Sequence, residues 1–140
     1  MVSIMIGRFI LYLWASPASA LGLLAGLAGL ATGGRCAVVR GVVEVHGGFV
    51  TWFLRSGMPW FGSAAAMTLG HVILGRDVEC LEHSREHEHV HVRQYEQWGP
   101  AFIPAYLAAS AWCWLRGRNA YFDNPFEREA YDKDEKRRGV

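Results

Sequence analysis

From Phe9 to Thr32 the chain runs for 24 residues without a charged side chain. A helix of that length, at about 1.5 Å per residue, can cross a bilayer core of about 30 Å. So apolar a segment must be hidden in a protein core or in lipid, and its length and uniformity favour lipid. Within it Gly22-Leu23-Leu24-Ala25-Gly26 forms a G-x-x-x-G, a spacing that lets two membrane helices approach closely, so packing through Gly22 and Gly26 is expected. Pro17 either kinks the segment or divides it into two short arms. A signal peptide competes for the same residues, with Arg8, a short apolar stretch from Phe9 to Ala15, and the A-x-A-like Ala18-Ser19-Ala20. The chain after Ala20 continues Leu-Gly-Leu-Leu-Ala-Gly-Leu-Ala-Gly-Leu, a poor exposed start for a secreted domain. A retained membrane anchor over residues 1–34 is therefore the expectation, with a folded domain over 35–140. Arg8 on one flank and Arg35 and Arg40 on the other leave its orientation open.

Length suits a single domain after such an anchor: 140 residues in all. Net charge is +1, which excludes a strongly basic nucleic-acid binder. Hydrophobic residues make up 51% and charged ones 19%, apolar for a soluble enzyme and in keeping with a membrane location. Cys36, Cys80 and Cys113 are odd in number and widely spaced, so they describe neither a disulfide framework nor a cysteine metal site.

Between the apolar segments the composition turns to strands. Cys36–His46 and Phe49–Arg55 are rich in Val, Thr and aromatics and are separated by Gly47-Gly48, a hairpin signal. Residues Ser56 to Gly62 read as a loop and Ala66 to Leu74 as a further strand. The expected fold class is α+β, a small antiparallel sheet followed by helices.

Chemistry enters at Glu86-His87-Glu88-His89-Val90-His91, which contains H-E-x-x-H. On a helix, residues four apart stand one above the other, so His87 and His91 can hold one zinc ion while Glu88 reaches a water on it. Four histidines between residues 83 and 91 make a chance match easier than usual, so the helical face is the sharper test. At about 100° per residue, His83, His87, Glu88, His91, Gln94, Tyr95 and Trp98 share one arc of about 140°. The opposite side, with Arg85, Glu86, His89, Val92, Arg93 and Glu96, reads as mostly solvated, which makes His89 a surface histidine. Ser84 is the expected N-cap, with Arg85 opening the helix and His83 lying before it.

Two histidines need a third protein ligand. The longer pattern that adds G-x-x-H fails, because Gln94 and Gln97 stand where Gly and His are required. A later helix offers Asn124-Pro125-Phe126-Glu127-Arg128-Glu129-Ala130-Tyr131. An H-E-x-x-H followed by a Glu-x-x-Ala helix resembles the gluzincin metallopeptidases, over residues 63–132. The resemblance implies that Glu127 is the third zinc ligand, with Glu129 the fallback, and that small Ala130 lets this helix pack on the active-site helix. It implies a zincin-like domain that cleaves a peptide or protein substrate at the membrane, with Glu88 as general base. It also implies an edge strand that pairs with extended substrate, here Ala66 to His71. Where many such families continue with Asp, this chain has Tyr131. Apart from the resemblance, acidic residues at a helix start are ordinary, since the helix dipole favours them.

Tyr95, Tyr106, Tyr121 and Tyr131 are all candidates to support an oxyanion, and Gln94 lies close enough to the histidines to support one of them. The segment from Trp98 to Leu115 is uncharged over 18 residues, but a second membrane span there would put His91 and Glu127 on opposite sides. A helix buried in the domain or lying in the interface is expected instead. The lipid bilayer is the other expected partner. A second reading from a different class stays open, a membrane-bound metal-binding or scaffold protein that keeps the fold without hydrolysis.

Overall fold

The computed structural model of the protein describes residues 2–57 and 62–139. Its centre is set by alternation along two short apolar strands. In β2 (Val42–His46), Val43 and Val45 face one side while Val42 and Glu44 face the other. In β4 (Val72–Gly75), Val72 and Leu74 oppose Ile73 in the same way. Residues two apart point to one face of a sheet, so each strand serves two cores.

With β1 (Arg35–Val39) and β3 (Ala66–Leu69) the sheet runs β1-β2-β4-β3. β1–β2 and β3–β4 are antiparallel, but β2 and β4 are parallel. The class is α+β as expected, while the sheet is mixed rather than antiparallel. The cause is α3 (Phe49–Ser56), which stands where a second hairpin strand was expected. Its β-favouring residues carry apolar side chains four apart, and buried Val50 and Leu54 meet the sheet together. Gly48, with φ 54°, precedes the first helical turn, where the Phe49 N–H donates to Thr32 Oγ1 at 2.6 Å. A helix between two strands makes a crossover, which is what parallel pairing needs. In place of the hairpin expected at Gly47-Gly48, the chain makes turns at Arg40-Gly41 and Gly70-His71, each inside a predicted strand. The predicted loop at 56–62 falls largely on 58–61, outside the described residues.

The first apolar segment forms two helices, α1 (Val2–Trp14) and α2 (Ser16–Ala31), bent by 69° at the break before Pro17. Proline has no N–H for the ladder and its ring displaces the preceding turn, so the helix breaks there. Among the described residues no single helix is long and apolar enough to cross a membrane; the bent pair passes by length and composition.

α2 lies on the sheet. Its buried stripe of Ala18, Gly22, Gly26 and Gly29 faces β2, β3, β4 and α3, so the G-x-x-x-G meets this chain's own strands rather than a second helix. Ala15 and Ala18 pack with Tyr95 and Phe102, so the expected division at residue 34 does not separate two cores. Ser19 Oγ accepts the His71 N–H at 2.9 Å, fixing the Ala18-Ser19-Ala20 stretch inside the fold.

The other face of the sheet carries α4 (Val78–Trp98), with Ile73, Val42, Leu81 and Val92 between them. After a short 3-10 turn come α5 (Phe102–Leu115) and α6 (Pro125–Arg138). Asp77, not Ser84, caps α4, its carboxylate accepting the Cys80 N–H at 2.7 Å, so the helix begins about two turns before the expected start. His83 therefore lies within it. The back of α4 is also less solvated than expected. Val92 is buried and His89 half-buried, and Arg85 forms a two-pronged pair with buried Glu44 at 2.8 and 2.9 Å.

The fit of α2 on the sheet generates a prediction. A Cβ on Gly22 would stand 2.7 Å from Val72 Cβ and 3.0 Å from the Leu69 carbonyl oxygen. Gly22→Ala is expected to destabilise the fold by about 1–3 kcal/mol through overpacking. Exposed Leu24→Ala should change stability little. Thermal unfolding of the two detergent-solubilised variants checks both.

Candidate metal centre

α4 presents His87, Glu88, His91, Gln94 and Tyr95 from one buried face, as residues at helical spacing must. α6 starts against that face. Asn124 caps it, Oδ1 accepting the Phe126 N–H at 3.0 Å, and Pro125 occupies its first turn. Fully buried Ala130 allows the two helices to close on one another. Glu127, only 3% exposed, is thereby inserted between the two histidines.

Its Oε2 lies 3.0 Å from His87 Nε2 and 3.3 Å from His91 Nε2, and the two Nε2 atoms are 3.2 Å apart. The three donor atoms all fall within 4.8 Å of one another. Two imidazoles and a carboxylate aimed at one buried point can hold a metal ion. Two nitrogens and a carboxylate oxygen suit a divalent ion of intermediate softness. His87 Nδ1 is buried without a hydrogen-bond partner among the described residues.

The surroundings hold this group in register. Gln94 Oε1 accepts from His91 Nδ1 at 2.8 Å, which leaves Nε2 of that ring free to bind. The Gln94 amide donates to the Phe126 carbonyl at 3.1 Å and to Glu129 Oε2 at 2.8 Å, so one side chain ties α4 to α6. Tyr106 of α5 donates to Glu127 Oε1 at 2.6 Å. Glu88 points to the sheet, where Thr68 Oγ1 of β3 donates to its Oε2 at 2.7 Å. β3 is an edge strand, as expected, although it stops at Leu69 and leaves His71 in the turn, bound to Glu96 at 2.9 Å.

The electrostatics follow from this geometry. Burial alone would lower the pKa of His91, but the hydrogen bond and charge of Glu127 outweigh it and raise it to about 9. Burial would raise the Glu127 carboxyl, yet hydrogen bonds from His87, His91 and Tyr106 hold it well below the usual carboxylate range. Burial, reinforced by Glu127, pushes the Tyr106 and Tyr121 hydroxyls far up.

Glu127 rather than Glu129 joins the histidines, since half-buried Glu129 is engaged by Gln94 and Lys133. His83 is exposed and outside the group, and His89 turns away from it. Tyr95 spends its hydroxyl on the Thr68 carbonyl at 3.2 Å. Tyr131 sets its ring edge-on to His87 at 4.4 Å between centroids, and its hydroxyl is 3.4 Å from that of Tyr121. Thr68 was missed from sequence; a lone threonine in a strand carries no signal until the strand is laid on the helix.

Two outcomes are expected. Glu127→Gln should lose a bound divalent ion while Glu129→Gln keeps it, as read by elemental analysis of tag-free protein. Metal binding at pH 7 should release about one proton per ion, because His91 is protonated below about 9 without metal and must be neutral to bind. Apparent affinity should therefore rise with pH up to about 9, and calorimetry in buffers of different ionisation enthalpy reads the proton directly. Neither a protein-family model, nor a curated protein, nor a solved structure matches the chain.

Proposed function

We propose that the protein is a membrane-associated, zinc-dependent metallopeptidase of gluzincin type. The observation that carries this reading is the buried meeting of His87, His91 and Glu127 with Glu88 on the same helix face and hydrogen-bonded to an edge strand. When bound, zinc supplies Lewis acidity, making a water easier to deprotonate and a carbonyl easier to attack.

The chain's own groups do the rest. His87, His91 and Glu127 hold the ion, and Gln94 and Tyr106 keep two of those ligands oriented. Glu88 accepts the proton of the attacking water and returns it to the leaving amine. Thr68 steers that carboxylate by its 2.7 Å hydrogen bond. The free side of β3 pairs with an extended peptide through backbone groups, the geometry of strand addition. Tyr95 and Tyr106 already donate their hydroxyl protons, and of the Tyr121–Tyr131 pair the hydroxyl that accepts their mutual hydrogen bond keeps its own proton for the developing oxyanion.

A membrane location is supported by the side chains that the fold leaves outside. Ile4, Phe9, Leu13, Leu24 and Leu27 on α1 and α2 are exposed, as are Leu107, Trp112, Trp114 and Leu115 on α5. An apolar surface this extended has a cost in water that lipid removes. The C-terminal end of α5 carries the exposed Trp112 and Trp114, which suit a membrane interface.

Glu88→Gln separates catalysis from metal carriage. It is expected to reduce peptide cleavage by about 10²–10⁴-fold with metal content unchanged. Cleavage of membrane-associated peptides, with and without chelator, is the measurement. Undiminished cleavage by this variant overturns the mechanism, and a wild type that binds metal but cleaves no peptide favours the metal-binding scaffold.

A further inference from the structure

The side of α4 that faces away from His87 and His91 borders a cavity of about 280 Å³. His89, Arg93 and Glu96 form one wall. Arg8 of α1, Arg40 at the β1–β2 turn and His71 at the β3–β4 turn form the other. Three guanidinium groups thus line a space with one carboxylate, and that carboxylate is engaged by His71 Nε2 at 2.9 Å. Arg40 pairs with Glu86 at 2.7 Å, but Glu86 also serves Arg137. Among the described residues no acidic group pairs with Arg8 or Arg93. The cavity therefore carries excess positive charge.

Its walls are held in place. Tyr12 of α1 donates to the Gly41 carbonyl at 2.6 Å and lays its ring on His71 at 4.1 Å between centroids. Arg40 sits at φ 53°, a left-handed backbone conformation that bulky residues rarely adopt, at the tip of the β1–β2 turn. His89 Nε2 and His71 Nδ1 are buried without partners among the described residues. With Nε2–H engaged by Glu96, the His71 Nδ1 offers a lone pair, while His89 can present an N–H. Beside Arg8, the exposed Phe9, Ile10 and Leu13 continue the apolar surface of α1.

We propose that this cavity binds a phosphate group, carried either by the headgroup of an acidic phospholipid or by a free phosphate ion. Guanidinium forks match phosphate oxygens in geometry and charge, and a mouth beside an apolar helix suits a group at the membrane surface. The site shares no residue with the metal centre and stands apart from the reading of that centre.

The test is calorimetric titration of the detergent-solubilised full chain with inorganic phosphate, dihexanoyl phosphatidic acid and zwitterionic dihexanoyl phosphatidylcholine. Saturable binding of phosphatidic acid, weakened about tenfold by each of Arg8→Gln and Arg93→Gln, is expected. Both arginines are exposed, and unchanged thermal unfolding certifies the variants. Inorganic phosphate binding with the same arginine dependence supports the site with free phosphate as ligand; binding of phosphatidic acid alone supports the headgroup. A His87→Ala, His91→Ala variant should bind as the wild type does. Absence of saturable binding to both anions, equal binding of the zwitterionic lipid, or indifference to both arginine changes overturns the proposal.

Discussion

A carboxylate 3% exposed cannot stay charged without partners, and Glu127 is in that position. An unpaired buried charge costs several kcal/mol or is neutralised by a shifted pKa. Here two imidazoles and a tyrosine hydroxyl surround it, drawn from two other helices: His87 and His91 from α4, Tyr106 from α5. The requirement to satisfy this one group fixes three helices against each other. It also holds two nitrogen donors and an oxygen donor at one point, the arrangement a metal ion needs. Removing one member of such a set exposes the others to the full cost of burial, so structure and ligand set are coupled.

The sheet meets the same constraint from below. Glu88 is buried on the same helix as the two histidines, and its carboxylate is satisfied by Thr68, which reaches it because β3 lies across α4. β3 is held by β4, and β4 is covered on its far side by α2. The small residues of α2 therefore reach the metal centre through one layer of strand. Ala18, Gly22 and Gly26 let the helix backbone approach the sheet, and the large Leu residues are left on its outer surface. A helix with a small-residue face and a leucine face is packed on protein on one side and exposed on the other.

This division explains what could be read from sequence. The period of α4 located His87, Glu88, His91 and Gln94 on one face, because helical geometry is local and the metal pattern depends on it alone. Glu127 required the resemblance as well, since nothing in Asn124 to Tyr131 states which of two glutamates turns inward; docking on α4 decides that. The sheet was legible as strands but not in its topology. Phe49 to Ser56 has β-favouring composition, and only the sheet beneath it shows that Val50 and Leu54, four apart, are its buried pair. The G-x-x-x-G at Gly22 was read as a site for another helix, and close approach was the right inference with the wrong partner. The capping error at α4 has a similar origin: Ser84 and Asp77 both suit an N-cap, and Leu81, packed in the core, places the start at the earlier one.

The return of the chain from α5 to α6 depends on Asn124. α5 has 14 residues, and the chain that follows turns back alongside it. The return is built from short hydrogen bonds: Asn119 Oδ1 accepts the Tyr121 and Phe122 N–H groups, and Cys113 Sγ donates to the Asp123 carbonyl. Asn124, fully buried, then uses both ends of its amide. Its Oδ1 caps α6, while Nδ2 donates to the Tyr106 carbonyl and to Ser110 Oγ on α5. One side chain thus starts the ligand-bearing helix and fastens it to the helix that precedes it. Tyr106, whose carbonyl receives that bond, directs its hydroxyl at Glu127. Tyr106 and Ser110 on one face of α5 thus hold the site, while Leu107, Trp112, Trp114 and Leu115 of the same helix stay exposed.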